Sequence, residues 1–277
     1  MLTYVQRIVS SQAGGRSASL VPFLFGVAQR PELPGVGLTR LLGDFGLTGA
    51  AARALLLRMR QEGKLASVRR GRGVGYRLAG EYGHRFDRIR RADHTPPPSW
   101  PGSFHAVLYQ VPESRRAFRD ALRRAAVHAG YGLLQQGVLI ALEDRTGAVA
   151  PLADPPADAA LFVTRLAMDE ADAARAARLA WDLDALAGTF AGHTESLRAA
   201  LRDQTAAAPE PGPVTLRRYA ELLRTPMVES LRSPRLPAAL LPADWPLPDL
   251  WRAILEVQQV YGAPAVSYVT SVLDAPR

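Results

Sequence analysis

Cysteine is absent from all 277 residues. No disulfide, thiolate zinc site or cysteine nucleophile is available, and such a chain suits a reducing compartment, the cytoplasm being the expected one. Lysine is almost as scarce: Lys64 is the only one, so the positive charge rests on arginine. No apolar run approaches the ~18 residues a helix needs to cross a bilayer, so no membrane span is expected. The first residues lack a basic stretch followed by a long apolar run, so no signal peptide is expected either. The five histidines (His84, His94, His105, His128 and His193) show neither HxH nor HExxH spacing. No Gly-x-Ser-x-Gly and no phosphate-binding loop with its Gly-Lys-Ser/Thr ending occur. Gly71-Arg72-Gly73-Val74-Gly75 is too short, and wrongly placed, for a dinucleotide fingerprint. The sequence therefore predicts a protein that is not an enzyme, with no catalytic residue, metal ligand or cofactor.

What is present is charge, unevenly spread. The net charge is +8. Residues 1–95 hold 16 Lys+Arg against 6 Asp+Glu, whereas residues 96–277 hold 18 against 20. An arginine-rich genome would raise arginine everywhere, yet only the later residues balance theirs with acids. A basic first third on a near-neutral remainder is the footprint of a nucleic-acid-binding domain.

The order of elements in that first third agrees. Residues 18–29 carry Leu20, Phe23, Leu24 and Val27 at helical spacing. A Pro/Gly-rich loop follows, then a short helix over 38–45. The turn Gly46-Leu47-Thr48 offers Thr48 as N-cap to a third helix over 49–62, which Gly63 ends. Strands over 65–70 and 74–78 flank Gly71-Arg72-Gly73 and form a glycine-tipped hairpin. Helix, helix, turn, helix and hairpin is the order of a winged helix-turn-helix. In the third helix Ala52, Leu55, Leu56 and Met59 share one apolar face. The other side shows Ala50, Arg53, Leu57 and Arg60, with Arg58 beside them. Arginine there can reach guanine O6 and N7 in the major groove. Arg69, Arg70 and Arg72, with Tyr76, place guanidiniums and an aromatic ring on the hairpin, where phosphates or a minor groove would meet them.

Pro96-Pro97-Pro98 and Pro101 form a stiff linker and a domain boundary. Beyond it the reading is strand (104–110), helix (113–129), two strands (132–134 and 138–142), a Pro/Ala-rich loop and a strand (160–166), which is close to a ferredoxin-like pattern. From Asp169 the chain reads as helical. A helix over 172–202 has Leu179, Leu183, Leu186 and Phe190 at helical spacing, and further helices cover 214–229, 248–261 and 263–273. Between 231 and 248 five prolines impose an irregular wrap.

Several stretches resemble one family. Arg53-Ala54-Leu55-Leu56-Leu57-Arg58-Met59, Glu62-Gly63-Lys64-Leu65 and Arg70-Gly71-Arg72 with Tyr76 and Leu78 are similar to the DNA-binding domain of PaaX-type repressors. Trp100-Pro101-Gly102, Pro112-Glu113 with Arg115 and Arg116, and Gly130-Tyr131-Gly132-Leu133 resemble its central domain. Trp181-Asp182-Leu183 resembles the start of its C-terminal part. Leu222-Leu223-Arg224-Thr225-Pro226 and the run from Leu236 to Pro246 resemble its proline-rich segment. Lys64 stands where the family usually has tryptophan. Members regulate phenylacetate catabolism and related aromatic pathways, so the resemblance implies a repressor of such genes, released by an aryl-CoA or other acyl-CoA thioester. The family's central domain also resembles the CRISPR spacer-integration nucleases, which place a metal-binding aspartate near the end of their first strand. Here that strand ends Val107-Leu108-Tyr109-Gln110, without a carboxylate.

The expected fold is multidomain α+β: a winged helix-turn-helix (1–95), a ferredoxin-like βαββαβ domain (96–175) and an α-helical C-terminal domain (176–277). The expected function is an effector-responsive regulator that binds palindromic double-stranded operator DNA as a homodimer. Arg115, Arg116 and Arg119 are the candidates for the phosphates of a thioester effector. Two other classes stay open: an architectural nucleic-acid binder without a ligand, and a metal-dependent nuclease using the central domain.

Overall fold

The computed structural model describes residues 18–70, 73–80, 83, 99–204, 208–230 and 233–275. Expectations for Arg72 and for the linker at Pro96-Pro97-Pro98 lie outside the described residues. The chain is mixed α+β and divides into two compact units. One comprises residues 1–94, 193–228 and 250–277; the other comprises 95–192 and 229–249.

In the first unit, helices α1 (Leu20–Ala28), α2 (Gly35–Asp44) and α3 (Gly49–Gln61) precede the hairpin of β2 (Leu65–Arg70) and β3 (Gly73–Leu78). A two-residue strand β1 (Leu33–Pro34) pairs with β3, giving an antiparallel sheet of order β1-β3-β2. The hairpin register runs from Leu65 opposite Leu78 to Arg70 opposite Gly73. Leu24, Phe25, Leu38, Leu41, Leu42, Leu55, Leu56 and Met59 are almost fully buried and form the core.

Two glycines set the turns that aim α3. Gly46 and Gly63 have φ of 85° and 70°, the left-handed region that costs other L-residues ~1–2 kcal/mol. Each allows a Schellman ending. Leu47 N–H donates to Leu42 O and Gly46 N–H to Gly43 O after α2, while Lys64 N–H donates to Met59 O and Gly63 N–H to Arg60 O after α3. Two of the last carbonyls of each helix are thereby satisfied.

Helices from the end of the chain complete this unit. Helix α6 (Leu183–Arg202) contributes its residues from His193 on, and α7 (Pro213–Ser230) and α8 (Leu247–Asp274) most of their length. Leu273 lies where a β-carbon on Gly37 would come 2.8 Å from its Cδ2. Arg30 donates two 2.7 Å hydrogen bonds to the Asp274 carboxylate. Tyr219 meets Phe23 edge-on at 5.6 Å.

In the second unit, β4 (Ser103–Gln110), β5 (Gly132–Gln135), β6 (Val138–Ala141) and β7 (Ala160–Ala167) form an antiparallel sheet of order β5-β6-β4-β7. Alternation along the strands gives it two apolar faces. Val107, Tyr109, Leu139 and Ala141 pack with Leu122 and Ala126 of α4 (Arg116–His128). Phe104, Ala106 and Ile140 pack with the alanine face of α5 (Glu170–Ala180) and with Leu236 and Leu240 of the proline-rich segment.

Two expectations need correction. First, the pattern is βαββ, then β, then α: between β6 and β7 stand only two 3-10 turns, Thr146–Ala148 and Ala150–Leu152. Asp144 captures the Thr146 backbone N–H (3.0 Å) and hydroxyl (2.7 Å), and Pro151, Pro155 and Pro156 deny helical hydrogen bonds. Second, 172–202 is not one helix. The chain turns at Trp181–Asp182, where Asp182 has φ of 49°, so Leu179 lies 70% exposed on α5 while Leu183 and Phe190 are buried. Residues 193–228 and 250–277 belong to the first unit, and residues 229–249 with those up to 192 to the second.

Candidate nucleic-acid interface

Helix α3 is amphipathic in an unusual sense. At 100° per residue its buried residues, Ala52, Leu55, Leu56 and Met59, centre on one direction. Diametrically opposite, about 180° away, lie Ala50, Ala54, Leu57 and Gln61, all exposed. Arg53 and Arg60 flank this ridge on one side and Arg58 on the other; all three are exposed. The helix starts cleanly because the Thr48 hydroxyl accepts a hydrogen bond from Ala51 N–H at 3.2 Å. The first turn is Gly49-Ala50-Ala51-Ala52, with no bulk to hold it away from a neighbouring surface.

Among the described residues the charges on this side are mostly uncompensated. Arg58 lies 4.0 Å from Glu62, which also receives Lys64 at 2.7 Å. The Lys64 hydrogen bond, with Arg58 adding a smaller pull, holds the Glu62 carboxyl below the usual carboxylate range. Such exposed pairs contribute little to stability. No carboxylate pairs with Arg53, Arg60 or Arg69 among the described residues. The Arg53 guanidinium folds back toward the helix start, 3.4 Å from where a β-carbon on Gly49 would stand.

The structure thus brings Ala50, Arg53, Leu57, Arg58 and Arg60 onto the exposed side of α3, with Thr48 exposed at its N-cap. Arg69 is exposed near the end of β2. The Arg70 side chain and Arg72 lie outside the described residues. Tyr76 is half-buried with its ring against the start of α2, where a β-carbon on Gly35 would come 3.0 Å from Cε2, so it anchors the hairpin. The sequence pattern did not single out Ala54 and Gln61, which a 100° projection places on the ridge. Nor did it single out exposed Arg40 on α2 and Arg77 on β3, for which no sequence signal exists.

The end of α2, from which the turn to α3 departs, is held from the far end of the chain. The Asp44 carboxylate accepts a 2.9 Å hydrogen bond from the Tyr268 hydroxyl, and its backbone carbonyl accepts one of 3.0 Å from Arg217 Nη1. Burial, reinforced by the Asp44 carboxylate, pushes the Tyr268 hydroxyl up to about 12, so it remains a donor through the neutral range.

The second unit offers a cleft of about 390 Å³ lined by Tyr109, Gln110, Val111, Arg119, Gln136 and Gly137. No carboxylate lines it, and among the described residues no group of three or more His, Asp or Glu could hold a metal ion. The effector candidates on α4 and the turn before it are already engaged. Arg115 pairs with Asp158 at 3.2 Å, Arg116 with Asp120 at 3.8 Å and Arg119 with Glu113 at 2.8 Å. Among the described residues no helix is long and apolar enough to cross a membrane.

Two family models match the chain: a PaaX-like protein model over residues 16–82, and the PaaX protein central Cas2-like domain over residues 97–177. No curated protein matches it. Among solved structures it is similar to an uncharacterized protein from Mycobacterium tuberculosis, at 28% identity over 84% of this chain and 90% of that one, with a TM-score of 0.49.

Proposed function

This chain belongs to the PaaX family, and from that premise we propose that it is a DNA-binding transcriptional regulator, a repressor of genes for aromatic-compound catabolism. One observation carries the reading: the side of α3 opposite its buried face is open and bears Arg53, Arg58 and Arg60. We read α1 to α3 with the β2–β3 hairpin as a winged helix-turn-helix, and the sheet of the second unit, with its β5-β6-β4-β7 order, as a variant of the ferredoxin-like arrangement. Helix α3 enters the major groove. Arg53 contacts guanine, while Thr48, Arg58 and Arg60 contact the phosphates on either side. The hairpin carries Arg69, Arg70 and Arg72 to the neighbouring backbone or minor groove.

The protein acts as a homodimer in the cytoplasm, because a twofold operator calls for two recognition helices about one duplex turn apart. Its effector is an aryl-CoA or related acyl-CoA thioester, the ligand that the family resemblance implies. Phosphates of such a ligand that reach Arg115, Arg116 or Arg119 meet guanidiniums already paired with Asp158, Asp120 and Glu113.

The hairpin gives the first test. Replacing Arg69, Arg70 and Arg72 by serine should lower the slope of log affinity against log salt by about 0.9 for each phosphate that these side chains no longer neutralise. Titrations of a labelled duplex at several salt concentrations measure it. An unchanged slope would mean that the hairpin does not touch DNA.

A further inference from the structure

The ridge of α3 poses a question that the arginines do not answer. A solvated helix face ordinarily carries polar side chains. Here the direction opposite the core carries Ala50, Ala54 and Leu57, spaced i, i+4 and i+7, ahead of polar Gln61 at the helix end, and Leu57 is 45% exposed. Arginines stand on both sides of this line, within a first third of net charge +10. That arrangement suits a surface that is apolar along its centre and anionic along its edges. The major groove has this character: phosphates form its walls, and the only apolar groups on its floor are the C5-methyl groups of pyrimidines. A protein partner with one acidic rim would match a single flank, whereas two phosphate walls match both.

We infer that Ala50, Ala54 and Leu57 read pyrimidine C5-methyl groups, with thymine as the principal target and Leu57 as the main specificity-determining residue. The inference rests on α3 being the helix that enters the groove. Small side chains at Gly49, Ala50 and Ala54 bring the backbone close to the base edges. The Leu57 isobutyl group, one turn past Arg53, then covers the methyl of a base neighbouring the one that Arg53 contacts. The same contact would accept 5-methylcytosine, which presents its methyl group at the equivalent place.

Deleting only that methyl group tests the idea. Full-length protein is used to enrich duplexes from a random library. The enriched duplex is then resynthesised with deoxyuridine at each thymidine in turn, and with 5-methylcytosine at each cytosine. One or two thymidine positions should weaken binding about fourfold each when the methyl is removed, the worth of one buried methyl-sized group. Leu57→Ala, an exposed substitution that favours the helix, should bind the thymidine and deoxyuridine forms alike at one of those positions. A gain on cytosine methylation that Leu57→Ala abolishes would assign the contact to 5-methylcytosine and support the same reading. Equal affinity for every methylated and unmethylated form would overturn the inference while leaving DNA binding intact. Failure to enrich any duplex would overturn DNA recognition by α3, and the inference with it.

Discussion

Arg53→Ala is expected to weaken binding to a selected duplex by ~1–3 kcal/mol, about 5- to 150-fold, while affinity for unrelated duplexes changes far less. The difference follows from geometry. Arg53 is exposed in the second turn of α3, beside the apolar ridge and on the side opposite the buried Ala52, Leu55, Leu56 and Met59. No carboxylate holds it among the described residues, so its guanidinium is available to a base edge. Arg58 is partly engaged by Glu62, and its removal should resemble that of a phosphate ligand. Alanine is the better helix former, so the variant keeps its fold and the measurement reports recognition alone. Anisotropy titrations with the selected duplex and with a scrambled one give both affinities. An equal fall in the two would make Arg53 a phosphate ligand only.

The second large effect concerns folding. Residues 1–95 alone should show no cooperative melting transition, although they contain every element of the proposed reading head. The helices that complete their core come from the other end of the chain. Tyr219, Leu223, Ile254, Val257, Val269 and Leu273 are all buried within the same unit. Each such side chain contributes ~1.5–3 kcal/mol, against a whole-domain stability of ~5–15 kcal/mol. The cut also removes Asp274 from Arg30, and both Tyr268 and Arg217 from Asp44, just ahead of the turn into α3. Calorimetry of the fragment beside the full chain decides. A sharp transition within a few degrees of the parent, with the selected duplex still bound, would show that the late helices are dispensable.

That expectation departs from the domain boundaries which the sequence suggests, and the reason is instructive. Periodicity identifies faces but not what covers them. The apolar stripe of α3, the strand β4 and the glycine turns after α2 and α3 were all legible, and these elements fall within a few residues of where the pattern put them. Because α7 and α8 pack on α1 and α2 across some 200 residues of chain, no local signal reveals it. Breaks proved harder still. Asp182 takes a left-handed conformation inside what reads as one long helix, whereas α8 runs through Pro264 where two helices were expected. Tyr261, Ala265 and Val269 are buried on either side of that proline, so tertiary packing outweighs the missing hydrogen bond. At the interface the arginines were legible as charge and spacing. The apolar ridge between them was only partly visible, since Ala54 joins it, with polar Gln61 at its end, once the buried side is fixed. Tyr76, an aromatic in a basic hairpin, reads as a ligand contact, and the structure sets its ring against Gly35.

Sequence-specific recognition of duplex DNA by this chain is the proposal on which the others depend. Its most direct test is to fragment genomic DNA, retain what the full-length protein binds at physiological salt, and sequence it. A few strongly enriched fragments are expected, sharing a motif with twofold symmetry whose half-sites are centred about 10 bp or a multiple of it apart, with Arg53→Ala losing the enrichment. Retention of all fragments in proportion to their length, with no shared motif, would contradict it.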